Sequence, residues 1–208
     1  MKRIVLVSGL CLAAGVSGGC NLLVPFIFLG EHKRKVPAEF DKLEGTRTAV
    51  VVWAEPETLF DYPHVRLELG SYTGDKIRAN VKDCDIVDSF RVEEFLERNA
   101  DDTIDPRKVG AHFEADMVVY IELLEFQVRD RSAPDLLRGR VKASVSVYDL
   151  RADPDEISSF VLESVEVVCP QNQPVLMSSR NAQLIRQQTY DLFSEKVARK
   201  FYEHKVDL

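Results

Sequence analysis

The sequence lacks the short motifs that mark the common enzyme classes. It has no Gly-x-Ser-x-Gly, no phosphate-binding loop and no glycine-rich dinucleotide turn. Its four histidines are scattered, and no two of them stand four residues apart on one helix: His32, His64, His112 and His204. We therefore predict that the protein is not an enzyme, and we predict no catalytic and no cofactor-binding residue.

Metal ligands are also scarce at useful spacings. No cysteine has a second cysteine or a histidine at the spacing of a zinc site. The acidic residues Asp101, Asp102 and Asp105 are predicted to make turns and helix caps, because a calcium site needs six or more oxygens at set offsets. We predict no metal site.

Basic residues are fewer than acidic residues in this sequence. The chain has 27 lysine and arginine residues against 34 aspartate and glutamate residues, for a net charge of −7. This balance disfavours a nucleic-acid partner. The one basic run, His32 to Lys35, is interpreted as a solvated linker or as a local contact with phospholipid headgroups.

Cysteine is rare, with four residues in 208. Cys11 lies in an apolar N-terminal run and Cys20 follows small residues, so Cys84 and Cys169 are left for the folded part. A bridge between these two would close a loop of about 85 residues and stabilise the fold by roughly 4 to 5 kcal/mol. Spacing does not say whether their Cα atoms come within bridging distance, so the disulfide stays a possibility.

What the sequence does have is a secretory N-terminus. A charged start is followed by the apolar stretch from Ile4 to Val16 and by Ser17-Gly18-Gly19 before Cys20. This layout resembles a bacterial lipoprotein signal. The resemblance implies that residues 1–19 are removed, that Cys20 carries diacylglycerol and palmitate, and that the protein faces the periplasm. Asn21 after the cysteine favours sorting to an outer membrane.

A second interpretation uses the same residues. Apolarity continues from Leu22 to Leu29, so the stretch from Ile4 to Leu29 could be one uncleaved helix. Such a helix would be roughly 39 Å long, enough to span a bilayer with tilt. If cleavage does occur, Leu22 to Leu29 needs cover, which we expect from the membrane interface or from a neighbouring subunit. Both interpretations tether the chain to a membrane.

The remainder predicts a linker at residues 20–45 and one α+β domain at 46–208. The expected order is a strand at Thr48–Ala54, a helix around 65–77, a strand at Asp85–Val92 running into a helix at 93–99, a short helix after Asp105, strands at Met117–Val128 and Leu137–Asp149, a strand at Ile157–Cys169 and a helix from Ser178 to Phe201. This order predicts one mixed, largely antiparallel five-stranded sheet with flanking helices and a long C-terminal helix.

The strongest strand signal is the alternation of Val141, Ala143, Val145 and Val147 with polar residues. It predicts an antiparallel hairpin with Met117–Val128 in which these four side chains face the helices. A change of phase near Glu122 predicts a bulge, and a slip is expected near Glu163-Ser164.

The segment Asp105-Pro-Arg-Lys-Val-Gly110-Ala-His-Phe-Glu-Ala115-Asp-Met-Val-Val119, leading into that hairpin, resembles the curli-secretion lipoproteins, the TolB amino-terminal domain and the lipoprotein activators of penicillin-binding proteins. Here Glu114 stands where the family usually has glycine. The resemblance implies the α+β fold and roles as a secretion channel, an adaptor or an enzyme activator. A membrane barrel is disfavoured, because only Arg140–Tyr148 alternates and its length suits an ordinary sheet.

The sequence therefore predicts a membrane-anchored, exported adaptor with a protein partner in envelope assembly. Two alternatives stay open. One is a subunit of an export or lipopolysaccharide-transport machine. The other is an unrecognised envelope hydrolase, which a cleft collecting His64 or His112 with carboxylates would favour.

Overall fold

The computed structural model describes residues 33–99, 104–152 and 159–207. Cys20 and the apolar segment from Leu22 to Leu29 lie outside the described residues. Within the described ranges, no helix combines the length and the apolarity that crossing a bilayer requires.

A mixed sheet with strand order β3-β2-β4-β5-β6 forms the centre of the unit that spans residues 37–204. Its strands are β2 Arg47–Trp53, β3 Asp85–Ile86, β4 Met117–Arg129, β5 Leu136–Asp149 and β6 Ser159–Cys169, and the two-residue β7 Val175–Leu176 pairs with β5. β2 is parallel to β3 and β4, whereas β4, β5 and β6 are antiparallel. The short strands β1 Lys33–Val36 and β8 His204–Asp207 form a separate two-stranded sheet. The predicted α+β class is confirmed.

Within the described ranges, five α-helices connect or flank these strands. They are α1 Pro56–Asp61, α2 Val65–Asn80, α3 Ser89–Arg98, α4 Pro106–His112 and α5 Ser179–Ala198, after which Arg199–Phe201 forms a 3-10 turn. Side-chain oxygens cap three of them, because Asp88, Asp105 and Ser178 accept hydrogen bonds from backbone N–H groups of the first helical turn.

The predicted hairpin is confirmed in register and in face. Met117 lies opposite Asp149 and Ile121 lies opposite Val145. Val145 and the other three alternating residues are fully buried under the helices. Each buried valine stabilises the fold by roughly 1.5 to 3 kcal/mol. The β4–β5 register shifts between Leu123 and Glu125, close to the predicted bulge, and the β5–β6 register shifts where Glu163 and Ser164 face a single residue.

Helices cover both faces of the sheet. α2 and α5 pack on one face over the larger apolar core, and α3 and α4 pack on the other over a smaller one. The Thr73 and Ser194 hydroxyls join α2 to α5 at 3.0 Å, and Lys76 Nζ lies 2.8 Å from Asp191 Oδ1.

Two predicted elements were wrong. The strand expected at Asp85–Val92 ends at Ile86, because the Asp88 side chain accepts hydrogen bonds from two backbone N–H groups and starts α3 at Ser89. Part of the predicted linker belongs to the folded unit, since Phe40 and Leu43 are buried in the core.

Candidate binding cleft

The β4–β5 hairpin extends well past the end of β2. Pairing between β2 and β4 stops at Trp53 opposite Glu122, so β4 from Leu123 to Arg129 has no strand on its β2 side within the described residues. Pro56 accounts for this, because proline has no N–H for a ladder and suits the first turn of a helix. The chain leaves the sheet there and forms α1.

Tyr62 holds the end of α1 against this free edge. Its hydroxyl accepts a hydrogen bond from the Val128 N–H at 3.3 Å. Its ring meets Phe126 edge-on at 4.7 Å, and Phe126 stacks on Tyr190 of α5 at 5.5 Å. Tyr190 is buried, and burial raises the pKa of its hydroxyl. The aromatic row fixes α1, β4 and α5 relative to one another.

A cleft of about 620 Å³ opens between these elements and the first turns of α5. We call it the arginine cleft. Its apolar lining comes from Val128, Leu137, Met177 and Ala182, and its polar lining includes Asp61, Arg129, Gln183 and Arg186. The volume and the mixture of apolar walls with a few polar groups are typical of ligand sites.

Arg129 and Arg186 give the cleft its electrostatic character. Neither guanidinium makes an ion pair or a hydrogen bond with the described residues, and Asp61 is the one acidic residue in the lining. The neighbouring Arg138 and Arg140, in contrast, lie 3.5 Å from Asp130 and 3.4 Å from Glu125.

The Asp130 carboxylate stays ionised to a lower pH than an ordinary aspartate. The Ser132 hydroxyl donates a hydrogen bond to Asp130 Oδ1 at 2.6 Å, and this bond lowers the pKa of the Asp130 carboxyl. The carboxylate is therefore already occupied by Ser132 and Arg138 on its own hairpin. Positive charge at Arg129 and Arg186 remains uncompensated on a chain whose net charge is −7.

A second depression of about 400 Å³ follows the free edge of β4, and we call it the β4 groove. Glu57, Thr58 and Asp61 of α1 form one side and β4 from Leu124 to Arg129 forms the other. Asp61, Tyr62 and Arg129 also line the arginine cleft, so the two depressions are continuous. Leu124 and, on α1, Phe60 are exposed by 55% and 87%.

The structure does not pair Cys84 with Cys169. Both are buried free thiols, and burial raises the pKa of each. Cys84 directly precedes β3 and Cys169 ends β6, at opposite edges of the sheet. Four strand spacings separate them by roughly 19 Å. A disulfide requires Cα atoms within about 7 Å, so the possible disulfide is wrong for this fold.

The structure does not bring the histidines together. His64 is exposed before α2, His112 stacks on Phe95 with ring centroids 4.3 Å apart, and His204 lies beside the Tyr202 carbonyl. None of these three lines the arginine cleft. Asp105 caps α4 as predicted. His32, Asp101 and Asp102 lie outside the described residues, and the described residues hold no group of three metal-ligating side chains.

The sequence analysis missed the arginine cleft. Its lining comes from α1, both strands of the hairpin, the residue after β7 and α5, segments that are distant in the chain. One local signal was present: four arginines lie within twelve residues of the hairpin, at 129, 131, 138 and 140. Which of them lacks a carboxylate partner depends on the tertiary structure.

No family model and no curated protein matches the chain. Among solved structures, it is similar to the PelC dodecamer from Paraburkholderia phytofirmans, with 11% identity over 82% of this chain and 96% of that chain and a TM-score of 0.45. It is also similar to the lipoprotein GNA1162 from Neisseria meningitidis, with 17% identity over 70% and 96% of the two chains and a TM-score of 0.39.

A third similar structure is the uncharacterized lipoprotein B from Nitrosomonas europaea, with 8% identity over 78% of this chain and 84% of that chain and a TM-score of 0.37. These likenesses assign no family to the chain. The resemblance to the curli-secretion, TolB and penicillin-binding-protein activator families stays a prediction.

Proposed function

We propose that the protein is an exported lipoprotein, anchored through Cys20 to a membrane of the bacterial envelope, whose domain acts as a non-catalytic binding module for a protein partner. The signal-like residues 1–20 support the anchor. The arginine cleft supports the binding role, because guanidinium groups bind anionic groups but do not serve as bases at physiological pH.

The observation that carries this proposal is the position of the cleft relative to the entry of the chain. The N–H groups of Glu39 and Phe40 donate to the Lys200 carbonyl at 2.8 and 2.9 Å, just after the C-terminal end of α5. The cleft lies at the other end, where Ser179 begins the helix. A 20-residue helix is roughly 30 Å long.

An anchor before residue 37 therefore leaves the cleft roughly 30 Å from the point where the chain enters the domain. A partner at the same membrane could then reach the cleft without displacing the tether. Tethering also raises the effective concentration of the domain for such a partner.

The anchor is tested by changing Cys20→Ala in cells grown with labelled palmitate. We expect loss of the label, retention of the signal-containing form and loss of membrane sorting, because the thiol is the site of acylation. Cys11→Ala is the matched control, since Cys11 lies in the segment that is removed, and it should label normally. Equal labelling of the Cys20→Ala variant and the unaltered protein would refute lipidation.

The binding role is tested by photo-crosslinking in intact cells. A photoreactive amino acid at Gln183, which is exposed in the cleft, should give adducts with a protein of defined mass. The same amino acid at Lys108, which is exposed on α4 outside the cleft, should not. Identical adduct patterns at the two positions would contradict a role for the cleft.

A further inference from the structure

The free edge of β4 is bordered by an open groove. The β4 groove lies where β2 would continue if Pro56 did not turn the chain into α1. The Val128 N–H shows that backbone groups of β4 face this side, since it donates to Tyr62. An unpaired strand edge offers N–H and C=O groups to an extended peptide, which can add to the sheet as a further strand.

The other long edge of the sheet is occupied by side chains of the same domain. On β6, the Glu39 carboxylate accepts a hydrogen bond from the Glu163 N–H at 2.6 Å. The Lys196 ammonium donates to the Glu166 carbonyl at 3.0 Å. On the β4 edge between Leu124 and Arg129, a side chain of the described residues occupies one backbone group, the Val128 N–H, so this edge is the better candidate for accepting a strand from outside.

The unpaired charges along these two continuous depressions define the occupant. Glu57 lines the groove and Arg186 lines the arginine cleft, whereas Asp61 and Arg129 line both. None of the four makes an ion pair with the described residues. Arginine binds carboxylates through charge-assisted, often bidentate hydrogen bonds. A complementary segment therefore has a carboxylate at the arginine end.

The rest of the surface suits a polypeptide. Leu124 is 55% exposed on the groove side of β4, and Val128, Leu137 and Met177 line the cleft. Alternate side chains of an added strand point to the same face, so such a segment can pack apolar side chains here while its backbone pairs with β4.

We propose that an extended segment of a partner polypeptide adds to the free edge of β4 and places a carboxylate between Arg129 and Arg186. This inference rests on the binding-module role proposed above and names the chemistry of its ligand.

The test selects heptapeptides from a random phage-displayed library on the full-length protein in detergent micelles. We expect enriched peptides to contain aspartate or glutamate. Their affinity should fall by roughly tenfold or more in the Arg129→Glu/Arg186→Glu variant, because attraction becomes repulsion. The Arg129→Lys/Arg186→Lys variant should recover part of the affinity. The control is Lys82→Glu/Lys108→Glu, which changes net charge equally at exposed positions outside both depressions.

Strand addition has its own readout. With the best peptide bound, amide hydrogen exchange should slow between Leu124 and Arg129. N-methylation of alternate peptide nitrogens should weaken binding in one phase and spare it in the other, since only one set faces β4. Failure to enrich any peptide that depends on the two arginines would overturn the proposal. Equal tolerance of both N-methylated series would overturn strand addition.

The experiment uses purified protein, so its outcome is distinguishable from failure of the proposed function. Normal labelling of the Cys20→Ala variant would refute the lipid anchor, and the peptide-binding measurement could still be interpreted. Equal peptide affinity in the unaltered protein and the Arg129/Arg186 variants would refute this inference, and the lipoprotein proposal would still stand.

Discussion

Gly139 of β5 sets how closely α5 approaches the sheet. A Cβ atom at this position would overlap Thr189 Oγ1 and lie 2.9 Å from Thr189 Cβ. Thr189 is fully buried, and its hydroxyl donates to the Ile185 carbonyl at 2.6 Å, so it cannot swing away. Gly139→Ala therefore forces the strand and the helix apart.

Overpacking of this kind typically costs about 1 to 3 kcal/mol. For a chain of this size, each kcal/mol lowers the melting temperature by roughly 2 to 4 °C. We expect Gly139→Ala to melt roughly 2 to 12 °C below the unaltered protein, and the urea midpoint to fall in step.

Gly70 supplies a control of opposite sign. It lies within α2, and the nearest atom to an added Cβ is Ser89 Oγ at 3.7 Å, an ordinary contact. Gly70→Ala should stabilise the domain by about 0.5 to 1 kcal/mol, because alanine favours the helix. Adding Thr189→Ala to Gly139→Ala should relieve part of the penalty, and a double-mutant cycle measures that coupling. An unchanged melting temperature for Gly139→Ala would refute the close approach of β5 and α5.

Two further substitutions test the buried face of β5 and the ion pair at its C-terminal end. Val145→Asp places a charge in the core and should destabilise the domain by several kcal/mol. Lys142→Thr, a polar and uncharged change exposed on the opposite face of the same strand, should melt within about 2 °C of the unaltered protein, and equal melting of the two variants would contradict the assigned face. Arg151 hydrogen-bonds to Asp149 and lowers the pKa of that carboxyl, so its stabilisation is present above the usual aspartate pKa and is lost as pH falls through the lowered value. In urea unfolding, the free energies of unfolding of the unaltered protein and of Asp149→Asn should become equal at acidic pH. A difference in free energy that persists below pH 3 would exclude the ionisation of Asp149 as its cause.

Local patterns in the sequence were enough to predict much of the fold. Alternation at Val141 to Val147 identified the hairpin, because a half-buried strand repeats every two residues. Asp105-Pro106 and Ser178 identified helix starts through their capping chemistry. At Asp88 the same chemistry was present, but the neighbouring β-branched residues favoured a strand, and the cap prevailed.

Features that depend on long-range contacts could not be predicted. Phe40 lies in a polar stretch and is buried because its ring packs against Phe160 and Phe201. The cleft depends on which carboxylates reach which arginines after α5 docks. Cys84 and Cys169 are separated by the strand order, which spacing along the chain does not reveal.

The contact between Lys196 and the β6 carbonyl also concerns the order of events during synthesis. Lys196 lies near the end of α5, which is made after every strand of the main sheet. A nascent chain that has reached Cys169 therefore has the whole of β6 but not the ammonium group that occupies its outer edge. Until α5 emerges, that edge can pair with other unfinished chains. The outer edge of β6 thus stays open to such pairing until α5 is complete.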